Sequence, residues 1–571
     1  MARGGGVAAV LLAAALASVH AALPWPQPAS QSFLPQVLSL DSNVFDFVVV
    51  GDDAPVLDRA LLRYATLTFI PKPPVAPLST APSAVLAALA VNVTNAAVPL
   101  ALEVDESVRV AVCGGWVSYH SYCVESTHPA LHSASPNPPQ YMLTIPPAGG
   151  TATLAAATVW GALHGLERFA QLVDWSAGTG YLVEARTVVD APRFAHRGAL
   201  IDTARHFLAL PTILAYIDAL AYNFMNVLHL HIVDDQSFPW VSRTFPNLSA
   251  VGAYAAPATT HTYSPADIQT IIAYAADRGV MVMPEYDTPG HTSSWGGGPA
   301  GLLTQCYQGS TPLPGVFGPI DPTAAATFPF LTALFTEVAA VYPNQYLHLG
   351  GDEVVFDCWA SNPAIQAWMA SHGYGSNYTL LENYYIQTLI DMVHGLNRSV
   401  VIWQDVFDNG VSIPANTIVQ AWKGGSTAAG LTELAAITAA GYRGILSAGW
   451  YLNYINYGES WIAYYGADPQ NFTAPAAQRA LVIGGEFAVW GEYVDDNNAI
   501  TRSWPFGAAI GERLWSPATV TDVNDATVRL QVHECRLKYR GLSVEPSIGP
   551  SFCPWEYVPA YNPPFPLPIN P

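Results

Sequence analysis

The chain has 571 residues, of which 51% are hydrophobic and only 11% charged, and its formal net charge is -21. That composition excludes a disordered chain and leaves ample material for two or three domains with their own cores. The acidic balance excludes a nucleic-acid partner, whose phosphates require a basic face.

From the amino terminus, Arg3, the apolar residues 7–17 and the small-residue site Val19-His20-Ala21 read as a secretory signal over residues 1–21. The apolar stretch is too short to span a bilayer, and no later uninterrupted apolar run is long enough, so no membrane span is expected. A secretory route permits disulfides among Cys113, Cys123, Cys306, Cys358, Cys535 and Cys553. None lies in a CxxC arrangement, which argues against metal or redox use. Spacing alone cannot choose the pairing; the simplest joins neighbours in chain order. The same route permits N-glycosylation at the sequons of Asn92, Asn247, Asn377, Asn397 and Asn471.

Residues 22–40 are Pro-rich and lead towards a first strand. Residues 44–50, 91–93, 109–113 and 141–145 read as strands, and residues 57–69 as an amphipathic helix. Residues 153–173 read as a second helix, with Val159, Leu163, Leu166, Phe169 and Ala170 at helical spacing. Together these predict a small α+β domain over residues 22–190. It carries no acid/base cluster and reads as structural or accessory.

Asp190-Ala191-Pro192 marks a boundary. Beyond it, aliphatic runs end in polar or aromatic residues, and most are followed by a helical segment. The first four cover residues 198–202, running out at Arg205; 227–233, at Asp234-Asp235; 280–284, at Glu285 and Asp287; and 346–349, at Gly350-Gly351-Asp352-Glu353. The next four cover residues 400–402, ending at Trp403; 417–421, at Trp422; 444–448, at Trp450-Tyr451; and 480–483, running out through Glu486 to Trp490 and Glu492. Residues 211–223 form one amphipathic connection. Ser264-Pro265-Ala266-Asp267 opens another, which stops at Gly279, and residues 432–440 stop at Gly441 in the same way. The link between the fifth and sixth runs shows no helix signal. Eight runs in this alternation predict an α/β fold, a (β/α)8 TIM barrel over residues 191–545, with its active site at the strand C-termini. An open doubly wound sheet lacks support, because no Gly-rich phosphate loop follows the first strand. A terminal helix over residues 524–539 and a Pro-rich tail over residues 546–571 complete the chain, and a Cys535–Cys553 bond would pin the tail to that helix.

The strand ends carry the chemistry. Asp352 and Glu353 are adjacent carboxylates, at least one of which should have a raised pKa. A single rim tryptophan is more often core packing, but Trp403, Trp422 and Trp490 with Tyr451 at successive ends suit the C–H faces of a sugar. Two carboxylates in such a rim suggest glycoside hydrolysis. Adjacent residues, however, do not readily flank a scissile bond from both sides, so the nucleophile comes from elsewhere, the substrate included.

These residues resemble glycoside hydrolase family 20, the β-N-acetylhexosaminidases, in particular the animal lysosomal kind. The resemblance is carried by His196-Arg197-Gly198 to Asp202-Thr203-Ala204-Arg205-His206, Leu230-His231-Ile232-Val233-Asp234-Asp235, Glu285-Tyr286-Asp287-Thr288-Pro289-Gly290-His291, His348-Leu349-Gly350-Gly351-Asp352-Glu353, Trp450-Tyr451-Leu452-Asn453 and Trp490-Gly491-Glu492-Tyr493-Val494-Asp495. It implies a retaining exo-enzyme for terminal non-reducing GlcNAc or GalNAc, in which the substrate's 2-acetamido oxygen attacks the anomeric carbon to give an oxazolinium. Glu353 would protonate the leaving oxygen, Asp352 would hold the acetamido N–H, and Tyr451 the acetamido oxygen. Trp403, Trp422 and Trp490 would enclose the sugar; Arg205, Glu492 and Asn453 would contact it; Asp234 and His291 would form a relay to Glu353. Asp287 is expected behind them, shaping its turn. The resemblance implies no cofactor or metal, a homodimer, and a lysosomal, vacuolar or secreted location. Two departures bear on charged sugars: Tyr454 stands where the subunit that accepts them has Arg, and Lys423-Gly424-Gly425 replaces its basic-acidic sequence. The alternatives are a carbohydrate-binding protein without catalysis, and a conventional two-carboxylate glycosidase using Asp287 or Glu492 as nucleophile.

Overall fold

A computed structural model describes residues 23–51, 54–69, 82, 84–94, 140–176, 180–554 and 556. The expected signal, the strand at residues 109–113, Cys113, Cys123 and the end of the tail lie outside the described residues. Near the amino terminus, seven described strands form one mixed sheet: Ser30–Leu40, Asp46–Val49, Ala84–Val93, Tyr141–Ile145, Gly150–Ala156, Asp174–Ser176 and Gly180–Asp190. Helices Pro55–Thr68 and Val159–Leu172 accompany it. The helix expected from residue 153 begins only at Val159, and residues up to Ala156 pair in register with Ala84–Val93 and Tyr141–Ile145. The physical reason is Thr158, whose side chain accepts the Gly161 N–H and so fixes the helix start there.

Eight parallel strands then close a barrel in chain order: His196–Asp202, Val227–Val233, Met281–Tyr286, Tyr346–His348, Ser399–Trp403, Ile418–Ala421, Arg443–Leu446 and Val482–Val489. Nearly every residue of these strands is buried, because helices cover the outside while side chains fill the inside. Helix Leu210–Tyr222 follows the first strand. Helix Pro265–Ala276 follows the second and opens with a full Ser264–Asp267 capping box. It ends short of the expected Gly279. Helix Thr427–Ala439 starts five residues earlier than its periodicity suggested, because Ser426 caps it through the Ala429 N–H. The fifth-to-sixth link, read as having no helix, contains the short helix Gln404–Asp408, which the lone acid in its first turn did not announce.

Among the described residues, two disulfides join chain neighbours. Cys306–Cys358 ties the hairpin Leu303–Gln308/Thr311–Ile320 to the segment after the fourth strand. Cys535–Cys553 ties the chain end to helix Val523–Tyr539. All five sequon asparagines are exposed. The sheet domain and the barrel are joined by buried charges. Asp190 accepts Tyr141 Oη at 2.8 Å, Trp515 Nε1 at 3.1 Å and Arg168 Nη2 at 3.2 Å. Glu167 accepts Arg540 Nη1 at 2.8 Å.

Removing Asp190 strands a buried guanidinium and two buried donors. We expect Asp190→Ala to cost about 3–5 kcal/mol in denaturant unfolding; a loss within error of zero would show that this junction bears no load.

Candidate active site

The turn after the fourth strand sets the geometry. Gly350 (φ 67°) and Gly351 (φ 92°) take left-handed conformations, and a Cβ on Gly350 would lie 1.7 Å from Asp287 Oδ1. Asp287 Oδ1 in turn accepts the Gly351 N–H at 2.8 Å. The backbone then reaches Glu353 at φ 50°, a conformation non-glycine residues seldom hold. The result separates the adjacent carboxylates by environment. Asp352 is buried, with Oδ1 lacking a hydrogen-bond partner, whereas the Glu353 side chain is 59% exposed.

Behind them runs a chain of alternating imidazoles and carboxylates. His196 meets Glu486 at 2.9 Å, and Glu486 meets His229 Nδ1 at 2.6 Å. His229 Nε2 lies 3.0 Å from Glu285, which meets His231 Nδ1 at 2.6 Å. His231 Nε2 meets Asp234 at 2.7 Å, and Asp234 Oδ1 meets His291 Nδ1 at 3.1 Å. His291 Nε2 then faces both site carboxylates, 3.7 Å from Glu353 Oε2 and 3.9 Å from Asp352 Oδ2.

From Glu486 to His291, burial works against each charge, but the neighbours outweigh it. Hydrogen bonds from His231 and His291 hold Asp234 well below the usual carboxylate range. Burial alone would lower His291, yet its bond to Asp234 and the nearby acids raise it to about 11. Glu285 and Asp234 raise His231 to about 10 in the same manner. Burial pushes Asp352 up to about 6, partly opposed by His291. Burial, then the charge of Asp352, pushes Asp287 well above the usual carboxylate range. Asp287 is therefore more than the turn-shaping residue its sequence suggests.

The aromatic rim assembles as expected. Trp403 is buried and donates Nε1 to Glu285 Oε1 at 2.6 Å. Its ring lies 6.0 Å from Trp490 and 6.5 Å from Trp422, and Tyr451 lies 6.4 Å from Trp422 and 6.3 Å from Trp490. Tyr454 stacks outside Tyr451 at 5.9 Å. Arg205 bridges Asp202 at 3.0 Å and Asp234 at 2.8 Å, with its guanidinium 5.1 Å from the centre of the Trp490 ring. Glu492 is exposed and close enough to raise Arg205. Asn453 is half-buried, and its Oδ1 has no partner. Trp450, also at a strand end, is buried away from the rim and donates to the Tyr464 carbonyl.

Asp405 was not among the residues expected. Its Oδ1 accepts the Glu353 N–H at 3.3 Å, and its Oδ2 accepts Trp422 Nε1 at 2.9 Å. Lys423 Nζ lies 3.0 Å from Asp405 and 2.9 Å from Asp408. The signal that could have found it is its place two residues beyond Trp403, at the end of the fifth strand. Among the described residues, three donor groups lie close enough to hold a cation: His229–Glu285–His348, Asp234–Asp235–His291 and Asp287–His291–Asp352. Of their histidines, His229 already pairs with Glu285 and His291 with Asp234, the chemistry of a relay.

Residues 194–518 match the family model of the glycosyl hydrolase family 20 catalytic domain, and residues 24–172 that of a domain described as beta-acetyl hexosaminidase like. The chain is 48% identical over 405 residues to the β-hexosaminidase subunit beta of Mus musculus, spanning 71% of this chain and 74% of the relative. It is 42% identical over 559 residues to the subunit alpha of Rattus norvegicus, spanning 96% and 98%. The chitobiase of Flavobacterium johnsoniae superposes with a TM-score of 0.72 at 26% identity, over 91% of this chain and 73% of that one. A Vibrio harveyi exo-β-N-acetylglucosaminidase shares the fold, with a TM-score of 0.73 at 20% identity over 93% and 79%.

The Asp352 shift yields a sign-definite expectation. Its folded pKa, about 6, lies above the ordinary 3.8, so its contribution to stability is full below about pH 4 and is lost as pH rises through 6. Asp352→Asn, which cannot ionise, should match wild type near pH 4 and exceed it by roughly 3 kcal/mol near pH 8. Thermal unfolding across that range tests this; a difference independent of pH would contradict it.

Proposed function

The chain belongs to glycosyl hydrolase family 20, and on that premise we propose that Asp352 and Glu353 divide the work of hydrolysis between them. The enzyme is a retaining exo-β-N-acetylhexosaminidase that removes terminal non-reducing GlcNAc or GalNAc. The carrying observation is the unequal setting of the two neighbours: one carboxylate is exposed, the other buried with a free oxygen. Two such groups on one side of a sugar cannot act as proton donor and opposed nucleophile. The substrate's acetamido oxygen fills the second role, attacking the anomeric carbon as the glycosidic bond breaks.

In this reading Glu353 protonates the departing oxygen and then takes a proton from the attacking water, a contribution on the order of 10²–10⁴-fold. Asp352 Oδ1 accepts the acetamido N–H. The positive charge growing on that nitrogen favours ionised Asp352, offsetting the burial that raises its pKa. Tyr451 hydrogen-bonds the acetamido oxygen, and burial keeps its phenol protonated. Trp403, Trp422 and Trp490 wall the acetamido group and ring, and Arg205, Glu492 and Asn453 take the hydroxyls. Asp234 and the cationic His291 bias the proton on Glu353. Asp287 steadies the turn that carries Asp352 by accepting the Gly351 N–H.

Neutral sugars suit this rim best. Lys423 is already shared between Asp405 and Asp408, and Tyr454 offers a ring where a cation would be needed for sulfate. The two disulfides and the exposed sequons support a secretory route, ending in a lysosome, a vacuole or outside the cell. A homodimer is the assembly we propose, since the relatives are named as subunits.

Glu353→Gln should lower kcat by 10²-fold or more on a chromogenic N-acetyl-β-glucosaminide, and its thermal unfolding should stay near wild type because the side chain is exposed. Normal turnover by a folded variant would move the acid elsewhere. The matching plain glucoside should be cleaved far more slowly than the N-acetyl substrate; equal rates would remove the acetamido group as nucleophile. A 6-sulfated GlcNAc substrate should also be slower than its neutral counterpart, and equal kcat/KM values would contradict the neutral preference.

A further inference from the structure

We infer that Asp405 is a positioning residue for proton donation: it fastens the backbone of Glu353 and the Trp422 wall to one carboxylate. This rests on the reading of Glu353 as the acid.

Three contacts converge on Asp405. Oδ1 accepts the Glu353 N–H at 3.3 Å, Oδ2 accepts Trp422 Nε1 at 2.9 Å, and Lys423 Nζ lies 3.0 Å from Oδ1. Asp405 itself is buried, so these contacts are shielded from competing water. Glu353 needs such a hold. At φ 50° its backbone sits in a left-handed region that a non-glycine residue seldom holds. Its carboxylate is exposed and meets His291 Nε2 only at 3.7 Å, beyond hydrogen-bond reach, so that end of the side chain is held loosely. The N–H is therefore the point at which the protein can set the direction in which the carboxyl group leaves the backbone. The opposite oxygen of Asp405 fixes the ring that would face the sugar. One rigid carboxylate thus sets the distance between the proton donor and the wall that encloses the acetamido group and ring.

An Asn at this position has a single acceptor oxygen. It can serve Glu353 or Trp422 but not both, and its NH2 would face a donor. The loss should fall on protonation of the leaving group rather than on folding or sugar binding. The readout is therefore leaving-group dependence. On chitobiose, whose departing sugar oxygen needs a proton, Asp405→Asn should lower kcat by about 10²-fold. On the 2,4-dinitrophenyl N-acetyl-β-glucosaminide, whose phenolate leaves unaided, the loss should stay below about tenfold, with KM little changed. Asp405→Glu keeps the carboxylate but displaces it by one methylene, so it should show the same asymmetry more weakly.

Equal losses on both substrates, or no loss on chitobiose, would overturn the proposal. Failure of both variants to fold would overturn it too, marking Asp405 as a purely structural requirement. Wild-type inactivity on both substrates would overturn the functional reading and this proposal with it, whereas equal losses in an active background overturn this proposal alone.

Discussion

Charge buried inside the barrel is what the rest of the molecule has to accommodate. Glu486, Glu285 and Asp234 could not remain ionised there singly, since desolvation would neutralise each of them. They persist because histidines alternate with them from His196 to His291. The partners come from the first, second, third and eighth strands and the ends of the second and third, so the chain holds only if the barrel closes in one register. Packing and ionisation are in this sense a single constraint. His348 shows the limit of the pattern: its Nδ1 accepts the Gly350 N–H, and burial lowers its imidazole, so it stays neutral and serves the turn.

At the open end of the barrel the chain meets two neighbours in sequence that lie in different media. A pair of left-handed glycines and a left-handed Glu353 turn one carboxylate inward and the next outward. The inward one inherits the barrel's electrostatics through Asp287 and His291. The outward one is free to meet solvent and a departing oxygen. The aromatic rim grades in the same direction, from buried Trp403 to exposed Tyr454. The strand ends thus arrange polarity by depth, which a pocket for a small polar ring with an apolar substituent requires.

Much of this was legible in the sequence because barrel strands, buried on both faces, announce themselves as aliphatic runs, and their ends as abrupt polar or aromatic residues. Family 20 motifs then led to Asp352, Glu353, Asp234 and His291, which the structure brings together. Misreadings had local causes. Residues 153–156 are small and carry no turn signal, so the helical spacing that follows swallowed a strand ending at Ala156. Asp405 was passed over as one acid in a short link, since its value lies in what approaches it from Glu353 and Trp422. The His229–Glu486 contact, 257 residues apart, depends on register across the closed barrel, and no window of sequence holds that information.

The charged seam between the sheet domain and the end of the barrel bears on biosynthesis. Asp190 waits for Trp515, and Glu167 for Arg540, partners separated by 325 and 373 residues. As the chain emerges amino terminus first, the early domain must hold Glu167 without Arg540, and the Arg168–Asp190 pair without its Trp515 donor, until almost the whole polypeptide has been made. A chain cut short before residue 540 therefore cannot complete the seam. A fragment that stops there keeps Glu167 without the guanidinium that accompanies it into the seam.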